Sequence, residues 1–201
     1  MKNIFNDKRS YSFYKRQFDI FFSILFLVIF IPILFFLILI NLIILKSNPF
    51  FVEERAGIHG RPFKFIKIKT MLDNTDLDYE NRIYRYGKYL RKYKIDELPQ
   101  LINVLIGDMS LVGPRPLLLE YNANYNNFEI KRLSVIPGIT GLAQVKVLNS
   151  ADWKRKIKYD IFYVNNYNFN MDIHILIKTF KLLIKIFFFN TKIIESHERK
   201  K

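Results

Sequence analysis

The chain has 201 residues and no cysteine, one tryptophan and three histidines. Without cysteine there is no disulfide, no thiolate nucleophile and no cysteine-held zinc, although the compartment stays open. His59, His174 and His197 form no HExxH pattern. There is also no Walker A loop, no GxGxxG and no serine in a GxSxG elbow. Acidic residues are scarce, 18 against 32 lysines and arginines, leaving a net charge of +14. Such a balance points to a polyanionic partner: nucleic acid, anionic lipid or a phosphorylated substrate. No nucleic-acid motif is present, and that reading would leave the apolar segment below unused, so no nucleic acid is expected. Carboxylates and cations remain. They are the toolkit of phosphoryl transfer, where positioning, charge neutralisation and often a divalent metal do the chemistry.

Charge itself is missing from Ile20 to Leu45, the run IFFSILFLVIFIPILFFLILINLIIL of 26 residues. A straight helix of that length reaches about 39 Å, beyond the roughly 30 Å hydrocarbon core. A soluble core helix would carry one polar face, and a cleaved signal peptide would be shorter and end in small residues. The segment therefore enters the membrane. Lys8, Arg9, Lys15 and Arg16 precede it, and Lys46, Arg55, Arg61, Lys64, Lys67 and Lys69 follow it. Positive charge on both flanks asks both to remain cytoplasmic. Pro32, at the midpoint, removes a helix bond to the Val28 carbonyl and favours a kink. Each arm would be about 13 residues, roughly 20 Å, enough to enter one leaflet and return. The expectation is a re-entrant hairpin; its rival is a kinked single span, because transmembrane helices tolerate proline.

Beyond Leu45 the composition changes. Phe63–Ile68 reads as a short strand among Pro and Gly punctuation. Asn81–Tyr93 interleaves arginines and lysines with Ile83, Tyr84, Tyr86, Tyr89 and Leu90, the pattern of an amphipathic helix. Ala151–Val164 is helix-like. Further on, His174, Lys178, Lys181 and Lys185 share one helical face opposite bulky apolar residues, as in a helix lying in a membrane interface. No repeat or clear linker divides the chain. The expected class is α+β: residues 1–46 form the re-entrant membrane helix hairpin, 47–190 a mainly helical catalytic domain with a few short strands and amphipathic interfacial helices, and 191–201 a basic tail.

The stretch KIDELPQLINVLIGDMSLVGPRP, Lys94–Pro116, places adjacent carboxylates before a helical period of Leu98, Leu101, Ile102 and Leu105, with Gly107 as a stop. The plainest reading is that Asp96 caps this helix and Glu97 complements its dipole. Nearby cations argue for more. Arg91 and Lys94 lie just upstream, and Arg115 is held between Pro114 and Pro116, which stiffen the backbone that presents it. A rigid guanidinium suits bidentate phosphate binding. A carboxylate facing a phosphate across cations is what covalent attack by aspartate on phosphorus requires.

These segments resemble the bacterial sugar transferase family, the monotopic phosphoglycosyl transferases. KRQFD (Lys15–Asp19) before a proline-broken apolar segment, KIKTM (Lys67–Met71), DELPQLINVLIGDMSLVGPRP (Asp96–Pro116) and PGITGLAQV (Pro137–Val145) follow one another in the family's order, from about Lys15 to Ile186. The resemblance implies an enzyme that transfers a phosphosugar from a UDP-sugar to undecaprenyl phosphate, giving polyprenyl diphosphosugar and UMP, with Mg²⁺ as cofactor. It implies a bacterial inner-membrane enzyme, its catalytic domain on the cytoplasmic face, that starts surface-glycan or glycoprotein oligosaccharide assembly. Carried over, Asp96 is the nucleophile and Glu97 a metal ligand or base, with Asp96 also at the metal. Lys69, Arg91 and Arg115 bind phosphates. Pro32, Lys15, Arg16 and Asp19 belong to the membrane helix, and Pro137, Gly138, Thr140, Gly141 and Gln144 to a substrate loop. Asn149–Trp153 follows that loop as a weak candidate for sugar contact. Where the family often has Ser-Pro at the helix break, this chain has Ile31-Pro32. The alternative is a non-catalytic, membrane-anchored basic binding protein. Neither the sugar nor the oligomeric state is legible.

Overall fold

The computed structural model describes residues 8–74, 76, 78–147 and 152–189. The tail 191–201 and Asn149–Ala151 lie outside them. The described chain is mostly helical, with four short strands.

Helix α1 runs from Lys8 to Leu45 with Pro32 inside it. It is one helix long and apolar enough to cross a membrane, and only 11% of its apolar window is buried. The structure thus shows the apolar helix, and not two arms joined by a turn. Its polar residues decide how it docks. Buried Asp19 accepts the Leu111 N–H at 3.1 Å. Arg16 donates to the carbonyls of Val104 and Leu105, and Lys15 pairs with Asp172. Near the other end, buried Asn41 donates to the Lys69 carbonyl at 2.8 Å and accepts the Tyr84 hydroxyl at 2.6 Å. Phe18, Phe22 and Leu27 pack on the main core, whereas Leu34 and Leu37 pack with Ile68 and Leu90.

Strands β1 (Phe50–Ala56) and β2 (Pro62–Ile68) form an antiparallel hairpin, Phe50 opposite Ile68. Alternation turns Phe63 and Phe65 into the core. The helix expected over Asn81–Tyr93 is split into α2 (Tyr79–Arg82) and α3 (Arg85–Lys92). Ile83, between them, bridges to Met71, so strand-like pairing wins over helical continuity. Gly87 permits the close seat of α3: a Cβ there would lie 2.5 Å from the Thr70 carbonyl oxygen.

Helix α4 (Gln100–Ile106) ends at Gly107, whose φ of 107° is the left-handed stop expected there. Buried Asn103 of α4 donates to the Lys64 carbonyl at 2.7 Å and so fixes α4 against β2. Strand β3 (Ser110–Val112) pairs in parallel with β4 (Gly138–Thr140). Short α5 (Leu142–Lys146) precedes α6 (Trp153–Asn166) and α7 (Phe169–Phe189). On α7, Phe180, Leu183, Ile184, Phe187 and Phe188 are exposed beside Lys181 and Lys185. This is the surface an interfacial helix needs.

Candidate active site

Asp96 and Glu97 lie in a 3-10 turn, Ile95–Glu97, entered through Lys94 in the left-handed region (φ 59°). Both are nearly buried, at 6% and 8% exposure. The cap position of α4 falls instead to Pro99, and no side chain caps it. Leu98 and Pro99 adopt helical angles before α4's own bonds begin, which sets Asp96 back from the helix end. The simple capping role is therefore corrected. Asp96 is a buried carboxylate set outside the α4 cap position.

Arg115 holds Glu97 through both guanidinium nitrogens, at 2.7 and 3.4 Å from the two carboxylate oxygens. Lys67 Nζ stands 3.9 Å from the same carboxylate and over the Phe65 ring. Burial pushes Glu97 up, but Arg115, Lys67 and Lys94 more than reverse this and hold it well below the usual carboxylate range. Burial pushes Lys67 down, against the attraction of Glu97 and Asp96. The result is a carboxylate pair fixed among buried cations, with Glu97 ionised at neutral pH.

The Arg115 loop is built from behind. Arg132, 3% exposed, donates to the Arg115 carbonyl at 2.7 Å and pairs with buried Asp160 of α6 at 2.8 Å. The same guanidinium donates to the Tyr125 hydroxyl at 3.0 Å and lies over the Tyr125 ring. Gly113 and Gly138 pass so closely that a Cβ on Gly138 would sit 2.0 Å from the Gly113 nitrogen. Lys156 of α6 also feels Arg115, and burial followed by that charge pushes it down.

The remaining sequence candidates are placed as follows. Arg91 donates to the Thr70 hydroxyl at 2.7 Å and to Tyr79 at 2.8 Å, on the side of Tyr84, which feels the charges of both Arg91 and Asp96. Lys69 turns away to Asp73 (2.6 Å) and Ser47 (3.3 Å), while its backbone carbonyl anchors Asn41 and Tyr84. Pro137, Gly138 and Thr140 form β4 and its approach behind the arginine loop; Thr140 meets Thr179 of α7 at 2.7 Å, and Gln144 donates to the Ile139 carbonyl. A Cβ on Gly141 would lie 2.2 Å from the Gly113 carbonyl oxygen, so the two segments pass closely there. Lys15, Arg16 and Asp19 clasp α1 to the core. Asp152 caps α6 through the Arg155 N–H, and Trp153 lies against Tyr121.

Two further lysines that the sequence reading passed over belong to this charge cluster, Lys67 beside Glu97 and Lys156, which feels Arg115. For Lys67 a signal existed: it shares the inward parity of Phe63 and Phe65, where a lysine needs a reason. Lys156 carried none.

A family model described as bacterial sugar transferase matches residues 10–186. This chain belongs to that family. Among curated relatives, the uncharacterized sugar transferase EpsL of Bacillus subtilis is 42% identical over 175 residues, 85% of this chain and 87% of its own length. The undecaprenyl-phosphate galactose phosphotransferase of Salmonella typhimurium is 35% identical across 89% of this chain. The UDP-N-acetylgalactosamine-undecaprenyl-phosphate N-acetylgalactosaminephosphotransferase of Aeromonas hydrophila is 34% identical across 87% of this chain. The chain spans 42% and 44% of those two relatives' lengths. The family expected from the sequence is thus the family shown, and the enzyme class of phosphoglycosyl transferase is supported with it.

Proposed function

We propose that this bacterial sugar transferase moves a sugar phosphate from a UDP-sugar to undecaprenyl phosphate, on the cytoplasmic face of the inner membrane, as the first step of surface-glycan assembly. The observation that carries the reading is the site itself: buried Asp96 beside a Glu97 clamped by Arg115, among cations that suit a diphosphate.

In the first step an Asp96 oxygen attacks the β-phosphorus. A bond forms between them, the bond to the bridging oxygen breaks, and UMP leaves with that oxygen. In the second step a phosphate oxygen of the polyprenyl phosphate attacks the same phosphorus and releases the Asp96 carboxylate. Glu97 holds the planar fork of Arg115 in place, ready for phosphate oxygens to compete for it. Lys67, from the floor, adds charge in a desolvated setting where it is worth most.

Mg²⁺ fits this donor set in a limited way. Among the described residues no group of three or more His, Cys, Asp or Glu side chains is placed to hold a metal. Magnesium, however, is commonly held by one or two carboxylates together with substrate phosphates. Asp96 is the carboxylate to hold it, since Glu97 is engaged by Arg115; when bound, the ion would neutralise diphosphate charge.

The test is incubation of the purified protein with undecaprenyl phosphate, Mg²⁺ and a panel of UDP-sugars, with UMP release as the readout. Release with one or a few sugars, dependent on the lipid, supports the transferase. No release with any sugar leaves the membrane-anchored binding protein.

A further inference from the structure

An open groove of about 450 Å³ is lined by Ile44, Tyr84, Arg85, Tyr86 and Tyr89, with neither Asp96 nor Glu97 in its lining. Its size is within the range of roughly 300–1,000 Å³ typical of small-molecule sites. One end is the last turn of apolar α1, where Ile43 and Ile44 are exposed. The other end is Tyr84, fixed by its hydroxyl to Asn41 and to the Lys69 carbonyl. The next residue, Thr70, carries Arg91. The groove thus runs from the membrane helix to the backbone that positions an active-site arginine. Its walls are aromatic: Tyr84 and Tyr86 stack at 6.3 Å, and Tyr89 stays half exposed. Tyrosines of this kind favour the membrane–water interface. Exposed Arg85 adds a cation at the mouth.

We infer that this groove seats the first isoprene units of the polyprenyl phosphate acceptor, with Arg85 and the Tyr84 end guiding the phosphate toward Asp96. The inference rests on the acceptor named above. Three features select this occupant. The groove is continuous with the membrane helix, so a lipid chain enters it without crossing water. Its tyrosine faces offer flat apolar contact to a methyl-branched chain. It joins an apolar end at Ile44 to a cationic side chain at Arg85, which suits a chain ending in a phosphate. Arg85 and the nearby Arg91 complement the phosphate charge.

The experiment uses the full chain in nanodiscs and a geranylgeranyl phosphate bearing a diazirine on an isoprene unit near the phosphate. Irradiation should label the segment 84–89 or Ile44. Excess undecaprenyl phosphate should abolish that labelling; phosphatidylglycerol and UDP should not. Separately, Tyr89→Ser and Arg85→Ala should each raise KM for the polyprenyl phosphate by about five-fold or more, leaving KM for the UDP-sugar unchanged. Labelling elsewhere, no competed labelling, equal competition by phosphatidylglycerol, or an unchanged acceptor KM would each overturn the groove. Cross-linking needs no turnover. Absence of UMP release would therefore count against the transferase reading alone, and the labelling would still decide the groove.

Discussion

At the scale of single residues, the carboxylate pair divides its work. Asp96→Asn keeps size and polarity, and Asp96 is not the α4 cap, so folding should survive. The amide cannot form an acyl phosphate. Turnover should fall below about a hundredth of wild type, since a lost nucleophile commonly costs several orders of magnitude. UMP release together with thermal unfolding checks this; a more active variant with normal folding would sink the covalent mechanism. Arg115→Lys keeps charge but cannot copy the two parallel bonds to Glu97. It should lose about 2–4 kcal/mol of transition-state stabilisation, read from kcat/KM. Glu97 makes a pH prediction. Its folded pKa lies below the ordinary 4.5, so its ion pairs are fully present above that value and are lost as pH falls through the folded one. Stability should drop more steeply between about pH 5 and pH 2 in wild type than in Glu97→Gln, by circular-dichroism melts. The sequence disclosed this pair because adjacent acids beside a proline-locked arginine are unusual. The two lysines of KIKTM have the same strand parity and were not told apart by pattern: Lys67 lies within β2 beside Glu97, whereas β2 ends at Ile68 and Lys69, just past it, reaches Asp73.

At the scale of elements, the stiffness of the arginine loop has two sources. Pro114 and Pro116 were visible in the sequence; the brace of Arg132 on the Arg115 carbonyl was not, because it joins separate parts of the chain through space. The same is true of the β3–β4 pairing, three residues a side, where Pro-Gly chemistry announced a turn but not its partner. The Gly113–Gly138 approach explains why that turn needs glycine. Arg132→Met should be costly, because it strands Asp160 in the interior without its cation. The expected loss is about 3–5 kcal/mol in chemical denaturation, with most of it recovered in an Arg132→Met/Asp160→Leu double variant. A single variant as stable as wild type would show that water reaches Asp160. If the brace also positions Arg115, the refolded double variant should retain stability yet keep a raised KM for the UDP-sugar.

At the scale of the whole molecule, the question is how α1 meets the bilayer. Its length and lack of charge were plain in the sequence; what holds it to the domain was not, since Asp19 and Asn41 look like isolated polar residues until their partners are seen. Those partners constrain topology. Asp19 reaches Leu111 and Asn41 reaches Lys69, both in the same folded domain. The two anchors are 22 residues apart, about 33 Å along a straight helix, which exceeds the hydrocarbon core. A span across the bilayer would put the Asp19 anchor and the Asn41 anchor on opposite sides, and one domain cannot hold both. Flanking positive charge argues the same way. The N-terminus and the catalytic domain should therefore share the cytoplasmic side. With no native cysteine, Asn3→Cys and Ala123→Cys give clean reporters. Both should resist an impermeant thiol reagent in intact cells and react after lysis; labelling of position 3 alone in intact cells would establish a span. Pro32→Leu restores the missing helix bond and should move a fraction of molecules toward that span, opposed by the Lys15 and Arg16 clasp. Asp19→Leu combined with Pro32→Leu should enlarge the fraction, because it releases the anchor that a spanning helix must break.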